Sequence, residues 1–187
     1  MTPRPWTRYA GAIGTTALIF GMLTAVPASA RTTEPTAGSG DSSVSQDLAT
    51  VRNYTSRYQD INVALADGFQ PPDPYVCVAG PEGTMGYHYL RWDRLDNELD
   101  IRKPELLLYV PGDGKGGLRL VGVEYMKPDA DQNLSTANDR PTLFGQPFNG
   151  PMGPHEPGMP IHYDLHVWIW SDNPNGTFAQ WNPSVSC

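Results

Sequence analysis

Residues 161–170 read Ile-His-Tyr-Asp-Leu-His-Val-Trp-Ile-Trp, and this stretch decides how the rest of the chain is interpreted. Its β-branched and aromatic residues predict a strand. Successive side chains of a strand point to opposite faces, so the stretch divides into two sets. The apolar set, which predicts a core-facing surface, is Tyr163, Leu165, Val167 and Ile169. The second set is His162, Asp164, His166, Trp168 and Trp170.

The second face of this strand carries three groups in a row that can bind a metal ion, at a spacing of about 7 Å. Imidazoles and carboxylates are costly to bury unless they are paired or bound to a cation. Burial for packing alone would therefore be unusual for such a row. The stretch predicts a functional site on this strand, but it does not disclose the chemistry of that site.

Beyond this stretch, the composition favours short strands joined by turns, because the chain contains 19 glycines and 19 prolines among its 187 residues. Apolar residues recur every three to four positions over 47–66 and predict a single helix, with Gly68 just past its end. We therefore predict one mainly-β domain over 47–187, a small antiparallel β-barrel or sandwich of about six to eight strands with this N-terminal helix packed outside. Besides 161–170, strands are predicted at 75–79, 85–90, 105–110 and 118–126.

The first 30 residues have the organisation of an export signal. Arg4 and Arg8 precede an apolar run over 10–26. Residues 28–30 (Ala-Ser-Ala) then form an A-x-A cleavage pattern, although a membrane anchor is the alternative interpretation. Residues 31–46 lack apolar periodicity and predict a disordered linker. We therefore expect the protein to be secreted or extracytoplasmic.

The charge of the chain argues against two classes of partner. Removal of the predicted signal, which contains two arginines and no acidic residue, would take the net charge from −7 to −9. An acidic domain repels nucleic acid and anionic membrane surfaces. We therefore expect no nucleic acid partner, and no membrane association once the signal is removed.

The chain contains two cysteines, Cys77 and Cys187. In an oxidising compartment, such a pair predicts a disulfide. A metal site built on these cysteines is not expected, because paired zinc-ligand cysteines lie closer together in sequence.

Three histidines and one glutamate lie on predicted strands. His88 and Glu124 stand on two strands outside 161–170, and Glu124 is in line with apolar neighbours. Glu124 either faces the interior as a ligand or faces solvent, and the pattern favours neither. Imidazoles and carboxylates that converge from neighbouring strands form metal sites. We predict such a site with His88, Glu124 and His166 as ligands and His162 as a fourth.

A divalent metal ion is the expected cofactor of this site. In an oxidising compartment, imidazole-rich sites favour zinc or copper, with iron or manganese as alternatives. A small-molecule ligand is the expected partner, and Tyr163, Trp168 and Trp170 would line or support its pocket. The protein could then be a metalloenzyme, in which an open coordination position activates water or oxygen.

The alternative hypothesis is a non-catalytic binding module without a metal ion. In that case Trp168, Trp170 and Trp181 would form an aromatic platform for a sugar or another small apolar ligand. Exposed tryptophans and diverging histidines would favour this hypothesis. Buried tryptophans and converging histidines would favour the metal site.

Several common catalytic motifs are incomplete in this chain. Gly112, Gly114 and Gly117 match G-x-G-x-x-G, but a predicted strand follows them where phosphate binding needs a helix. The sequence contains no G-x-S-x-G segment. His155 and Glu156 lack the second histidine of an H-E-x-x-H zinc-protease motif. The sequence therefore gives no motif support to a nucleotide site, a serine hydrolase or a zinc protease.

Four short segments are distinctive: Met-Gly-Tyr-His-Tyr (85–89), Leu-Val-Gly-Val-Glu-Tyr (120–125), Leu-His-Val-Trp-Ile-Trp (165–170) and Asn-Pro-Asn-Gly-Thr-Phe-Ala-Gln-Trp-Asn-Pro (173–183). Together they resemble a family of exported microbial proteins to which no activity is assigned. The likeness covers most of 47–187 and implies that His88, Glu124 and His166 stand in signature segments. The chain also resembles, more loosely, the cupins, small β-barrels with a metal site of three histidines and one glutamate. The cupin order, with two histidines and the glutamate close together, is not met.

We expect the mature protein to begin at Arg31, because cleavage follows the small-residue pattern at 28–30. N-terminal sequencing of the exported protein checks this expectation. Recovery of a chain that retains Met1 in the membrane fraction would instead identify the apolar run as an anchor.

Overall fold

The structure is a computed structural model, which describes residues 39–112 and 117–187. The predicted signal at 1–30 and the first part of the predicted linker lie outside the described residues. Within the described residues, no helix has both the length and the apolar character that crossing a membrane requires.

The N-terminal helical region is longer than predicted and is broken. Helix α1 spans Ser39–Thr55, a short 3-10 helix spans Ser56–Gln59, and α2 spans Ile61–Ala66. The break falls at Asp60, which has extended backbone angles and whose side chain accepts a hydrogen bond from the backbone N–H of the second residue of α2. An aspartate in this position starts a new helix, so the prediction of one continuous helix over 47–66 is wrong.

Helix α1 also begins inside the predicted linker. The prediction of disorder is wrong for residues 39–46, because Val44 and Leu48 pack against the core. Apolar packing of this kind contributes more to helix stability in a protein than intrinsic propensity does. Gly68, with φ of 95°, follows α2 as predicted.

The described residues form eight strands, and the prediction of a mainly-β domain is confirmed. Six strands form one antiparallel sheet in the order β1-β2-β3-β4-β8-β7, which curls into a half-barrel, and β5 and β6 form a separate small sheet. Strand β7 lies outside the strands that the sequence predicts, because a glycine and a proline within it obscure the strand pattern. The strands are β1 (Val78–Gly80), β2 (Gly83–Leu90), β3 (Leu106–Pro111), β4 (Leu118–Pro128), β5 (Thr142–Leu143), β6 (Gln146–Pro147), β7 (Asn149–Met152) and β8 (His162–Val167).

The central strands β3, β4 and β8 of the six-stranded sheet are buried on both faces over most of their length. One face, which we call the helix face, packs in a single apolar cluster with residues of α1 and α2. The phenolic O–H of Tyr109 on β3 donates a hydrogen bond of 2.7 Å to the carbonyl of Tyr58 and so ties the sheet to the helical region. The opposite face, which we call the cavity face, carries Glu124 and His166. The buried strand residues of the helix face are Tyr89, Leu107, Tyr109, Leu120, Val123, Tyr125, Tyr163, Leu165 and Val167.

The predicted alternation holds along β8 but ends at Val167. The backbone N–H of Ile169 donates to the carbonyl of Val167, a tight turn that interrupts the strand. Trp170 therefore does not continue the cavity face. Its indole N–H donates to the hydroxyl of Thr55 on α1, and the guanidinium of Arg52 lies 4.9 Å from the centre of its ring.

Two glycines, Gly122 and Gly86, allow neighbouring strands of the sheet to approach each other closely. A Cβ at Gly122 on β4 would stand 2.9 Å from the carbonyl oxygen of Val167 on β8. Gly86 on β2 has φ of 97°, and a Cβ there would collide with the carbonyl of Tyr109. A larger side chain at either position would push neighbouring strands apart.

The predicted disulfide between Cys77 and Cys187 is confirmed. The bond joins residues 110 apart in sequence, with their Cα atoms 5.8 Å from one another. It therefore ties the last residue of the chain to the segment immediately before β1.

We expect the double substitution Cys77→Ser and Cys187→Ser to lower the free energy of unfolding by about 2–5 kcal/mol, because a long loop of the unfolded chain is no longer closed. Urea denaturation followed by tryptophan fluorescence measures this change. Reduction of the wild-type protein is the matched control and should reproduce the loss. Equal stability of the oxidised and reduced proteins would contradict the expectation.

Candidate metal centre

Three strands bring His88, Glu124 and His166 to the cavity face. Glu124 on β4 is directly opposite His166 on β8, so their side chains leave the sheet next to each other. His88 lies on β2, where it is paired with Leu108 of the intervening strand β3. The curl of the sheet brings its imidazole across β3 to the other two side chains.

The ligand atoms of the three residues, which we call the triad, all lie within 4.8 Å of one another. Glu124 Oε2 is 3.4 Å from His88 Nε2 and 3.7 Å from His166 Nε2. Ligands of one tetrahedral zinc ion stand about 3.3 Å apart, given bond lengths of about 2.0–2.1 Å. Among the described residues, no second group of three histidine, cysteine or acidic side chains converges in this way. The prediction that these three residues come together is confirmed.

Three buried polar atoms of the triad have no hydrogen-bond partner. They are Glu124 Oε2 and both ring nitrogens of His166. Glu124 and His166 are 2% and 1% exposed, so bulk water does not replace the missing partners. The alternative in which Glu124 faces solvent is therefore wrong. An unsatisfied buried polar atom costs about 1–3 kcal/mol, and a bound cation would satisfy the carboxylate and an imidazole nitrogen together.

Asp164 lies beside the triad on β8. Its Oδ1 is 3.9 Å from His166 Nδ1, and it accepts a hydrogen bond of 3.3 Å from the side-chain amide of Asn149 on β7. Metal-binding histidines commonly direct the ring nitrogen that does not bind the ion at a carboxylate. Asp164 therefore stands where it could hold His166 with Nε2 directed at Glu124.

Burial sets the protonation of the triad. It lowers the pKa of His166 well below the ordinary range and, with a contribution from His155, lowers the pKa of His88 to about 4. Both imidazoles are therefore neutral at neutral pH, which is the form that binds metal ions. Burial raises the pKa of Glu124 well above its usual value, and the neighbouring carboxylates of Asp164 and Glu105 raise it further. A cation at the triad would reverse that shift and favour the carboxylate.

The triad opens onto a cavity of about 460 Å³. All six strands of the sheet contribute residues to its walls, together with the segments before β1, between β7 and β8 and after β8. His155 and Glu156 line it from the segment between β7 and β8, and Trp181 lines it from the C-terminal segment. The cavity wall also contains methionines, which were not among the site residues predicted from the sequence. The one available signal was that Met126 lies two residues after Glu124 on the same strand face.

His162, predicted as a fourth ligand, lies outside the triad. Its Nδ1–H donates a hydrogen bond of 2.9 Å to the carbonyl of Pro160. Its Nε2 is therefore unprotonated and accepts from His155 Nε2, which is 3.1 Å away. Both ring nitrogens are satisfied, and His155 occupies the position on this ring where a metal ion would bind.

The structure places none of Tyr163, Trp168 and Trp170 among the residues that line the cavity. Tyr163 belongs to the helix face, where its O–H donates to Asp139, because its position in β8 alternates with those of the cavity-face residues. The ring of Trp168 stacks on the ring of His166, with 6.2 Å between their centres. Its indole N–H donates a hydrogen bond to the carbonyl of Ala179. Trp170 follows the turn at Ile169 to the helical side.

Comparisons of the chain with protein-family models, with curated proteins and with solved structures found no match. The resemblance to the exported microbial family therefore stays an expectation.

We expect the free energy of unfolding of the metal-free protein to fall between pH 6.5 and 8. Glu124 remains protonated to a higher pH in the folded protein than in the unfolded chain, so the folded state binds more protons in this range. Glu105, whose pKa burial raises to about 8, acts with the same sign. The lowered pKa values of His88 and His166 act in the opposite direction, but below pH 6.5.

The variant Glu124→Gln should therefore show a shallower slope, by up to about 1.4 kcal/mol per pH unit, in urea denaturation with a chelator present. Glu82→Gln is the matched control, because Glu82 is exposed on the turn between β1 and β2. Identical slopes in Glu124→Gln and the wild type between pH 6.5 and 8 would contradict the expectation that the folded protein keeps Glu124 protonated in this range.

Proposed function

We propose that this protein is an exported metal-binding protein whose His88, Glu124 and His166 hold one divalent metal ion in the wall of the cavity. The observation that carries the proposal is the convergence of three ligands whose buried atoms lack hydrogen-bond partners. A carboxylate oxygen and an unprotonated imidazole nitrogen are both lone-pair donors. They repel each other at short range unless a proton or a cation lies between them.

The ligand set suits several metal ions. Two imidazoles and one carboxylate are common ligands of zinc, iron and copper, and manganese also accepts this mixture. Three protein ligands leave coordination positions for water or another molecule, which is typical of catalytic zinc sites and not of structural ones. At such a position, a bound ion polarises an oxygen-containing ligand and lowers the pKa of bound water.

The cavity supports a small molecule as the natural ligand of the ion. A volume of about 460 Å³ lies within the range of small-molecule sites in proteins. Its wall combines apolar side chains with the few polar groups of the triad and its neighbours. A compound with an apolar body and one oxygen or nitrogen donor for the ion would match this arrangement.

Export is supported by two independent features. The sequence at 1–30 has the organisation of a signal, and the disulfide of Cys77 and Cys187 is typical of oxidising compartments. The resemblance to exported microbial proteins agrees with both. We include export in the proposal on these grounds.

The alternative of an aromatic binding platform receives no support from Trp168 and Trp170, and of the three tryptophans only the half-buried Trp181 lines the cavity. Trp168 is 4% exposed and packs behind His166, and Trp170 packs against α1. An aromatic platform must present ring faces to solvent. The histidines converge, which is the outcome that favours the metal site.

We expect His166→Ala and His88→Ala each to lose most of the bound metal, because one of three protein ligands is removed. The purified protein is loaded with zinc, dialysed against metal-free buffer and measured by elemental analysis. His155→Ala is the matched control, since His155 lines the same cavity but bonds to His162, and it should keep close to the wild-type content. Full zinc content in His166→Ala would refute the proposed site.

A further inference from the structure

The methionines of this protein are concentrated in one place. The chain contains six, of which Met1 and Met22 lie outside the described residues. All of the others line the cavity that the triad faces. They come from four separate parts of the fold, so their meeting reflects tertiary structure and not a local sequence bias. The four are Met85 on β2, Met126 on β4, Met152 at the end of β7 and Met159 in the segment before β8.

General apolar packing does not account for this distribution. The larger apolar cluster lies on the helix face, and its buried residues in the described part of the chain include no methionine. That cluster is built from tyrosine, leucine, valine and phenylalanine side chains. Met126 and Met159 do pack with Leu90 and Leu106 on the cavity side. Methionine is thus found where the metal ligands are and absent from the buried residues of the opposite face.

Strand register places one of these methionines, Met126, beside the triad. Met126 lies two residues after Glu124 on β4, so both side chains leave the same face at positions about 7 Å apart. It is directly opposite Asp164, the residue that faces the ring of His166. Met85 lies three residues before His88 on β2, and its side chain also reaches the cavity. The unbranched methionine side chain has three rotatable bonds and can adjust its sulfur position toward such a centre.

The sulfur atoms change which metal ion the centre should prefer. Imidazole and carboxylate ligands alone accept zinc, copper, iron and manganese. A thioether is a soft, uncharged ligand that binds Cu(I) well, and it is not among the usual protein ligands of zinc. A cavity that combines neutral imidazoles with four thioethers is therefore better matched to copper than to zinc.

We propose that the centre is a copper site, in which the thioether of Met126, with help from the other cavity methionines, joins the triad in holding Cu(I). This inference rests on the proposed metal-binding function and specifies its ion. It involves no electron transfer by the protein, since Cu(I) binds as supplied. The triad accounts for binding of a metal ion, and the methionines account for the choice of ion.

Competition titrations with a Cu(I) chelator under anaerobic conditions, and with a zinc chelator in parallel, test the proposal. Met126→Leu removes the sulfur and nearly preserves side-chain volume. We expect it to weaken Cu(I) binding by about tenfold or more while zinc binding changes by less than about twofold. Leu106→Ile is the matched control, because it reshapes the same wall without removing sulfur.

Two further measurements keep the test decisive. A variant with leucine at all four methionine positions shows whether one sulfur replaces another, and circular dichroism establishes that it folds. Copper-edge X-ray absorption of the wild-type protein loaded with Cu(I) should show sulfur bound to the metal, independently of any variant. Absence of sulfur at the copper, or unchanged Cu(I) affinity in the folded fourfold variant, overturns the copper proposal.

The outcomes separate the two proposals. Suppose that the wild type binds zinc, that His166→Ala loses it, and that the methionine variants bind Cu(I) as tightly as the wild type. The metal site is then supported and the copper proposal is refuted. If the wild type binds neither Cu(I) nor zinc, both proposals fail. If Cu(I) binding requires both His166 and Met126, both are supported.

Discussion

The pairing of β4 with β8 is the constraint on which the site depends. It sets Glu124 directly opposite His166, at a separation where the two side chains must interact. A slip of one residue would turn His166 toward the helices and bring an apolar residue opposite Glu124. The register resists such a slip because Tyr163, Leu165 and Val167 would leave the apolar helix face at the same time. Packing on one face therefore determines the chemistry on the other.

Because the central strands are buried on both faces, placing polar side chains on the cavity face costs free energy. Antiparallel sheets commonly leave one face in contact with water, where carboxylates and imidazoles find partners. Here the cavity face holds Glu124 and His166 at 1–2% exposure, and three of their atoms have no hydrogen-bond partner. A neutral core of the same shape would fold at lower cost. The apolar packing of the helix face and the disulfide offset the cost of retaining these polar groups.

Much of the local structure could be predicted because it follows from short-range patterns. The alternation of apolar and polar side chains over 162–167 reports the two faces of β8, and the disulfide follows from two cysteines in a chain with a predicted signal. Errors occurred where a local signal competed with tertiary packing. Asp60 interrupts the predicted helix as a cap, and Val44 extends that helix into a region that lacks apolar periodicity. The turn at Ile169 moved Trp170 to the other side of the sheet.

Local sequence patterns were sufficient to assign the central strands, the two faces of β8 and the residue types able to bind a metal ion. Strand alternation is a property of the backbone, so one strand's pattern suffices to assign its faces. The tertiary structure alone decided which candidates meet. Residues 88, 124 and 166 converge because β2, β4 and β8 share one curled sheet, whereas His162 is satisfied by His155. Convergence depends on strand order, register and curl, which arise from contacts between distant parts of the chain that no local pattern records.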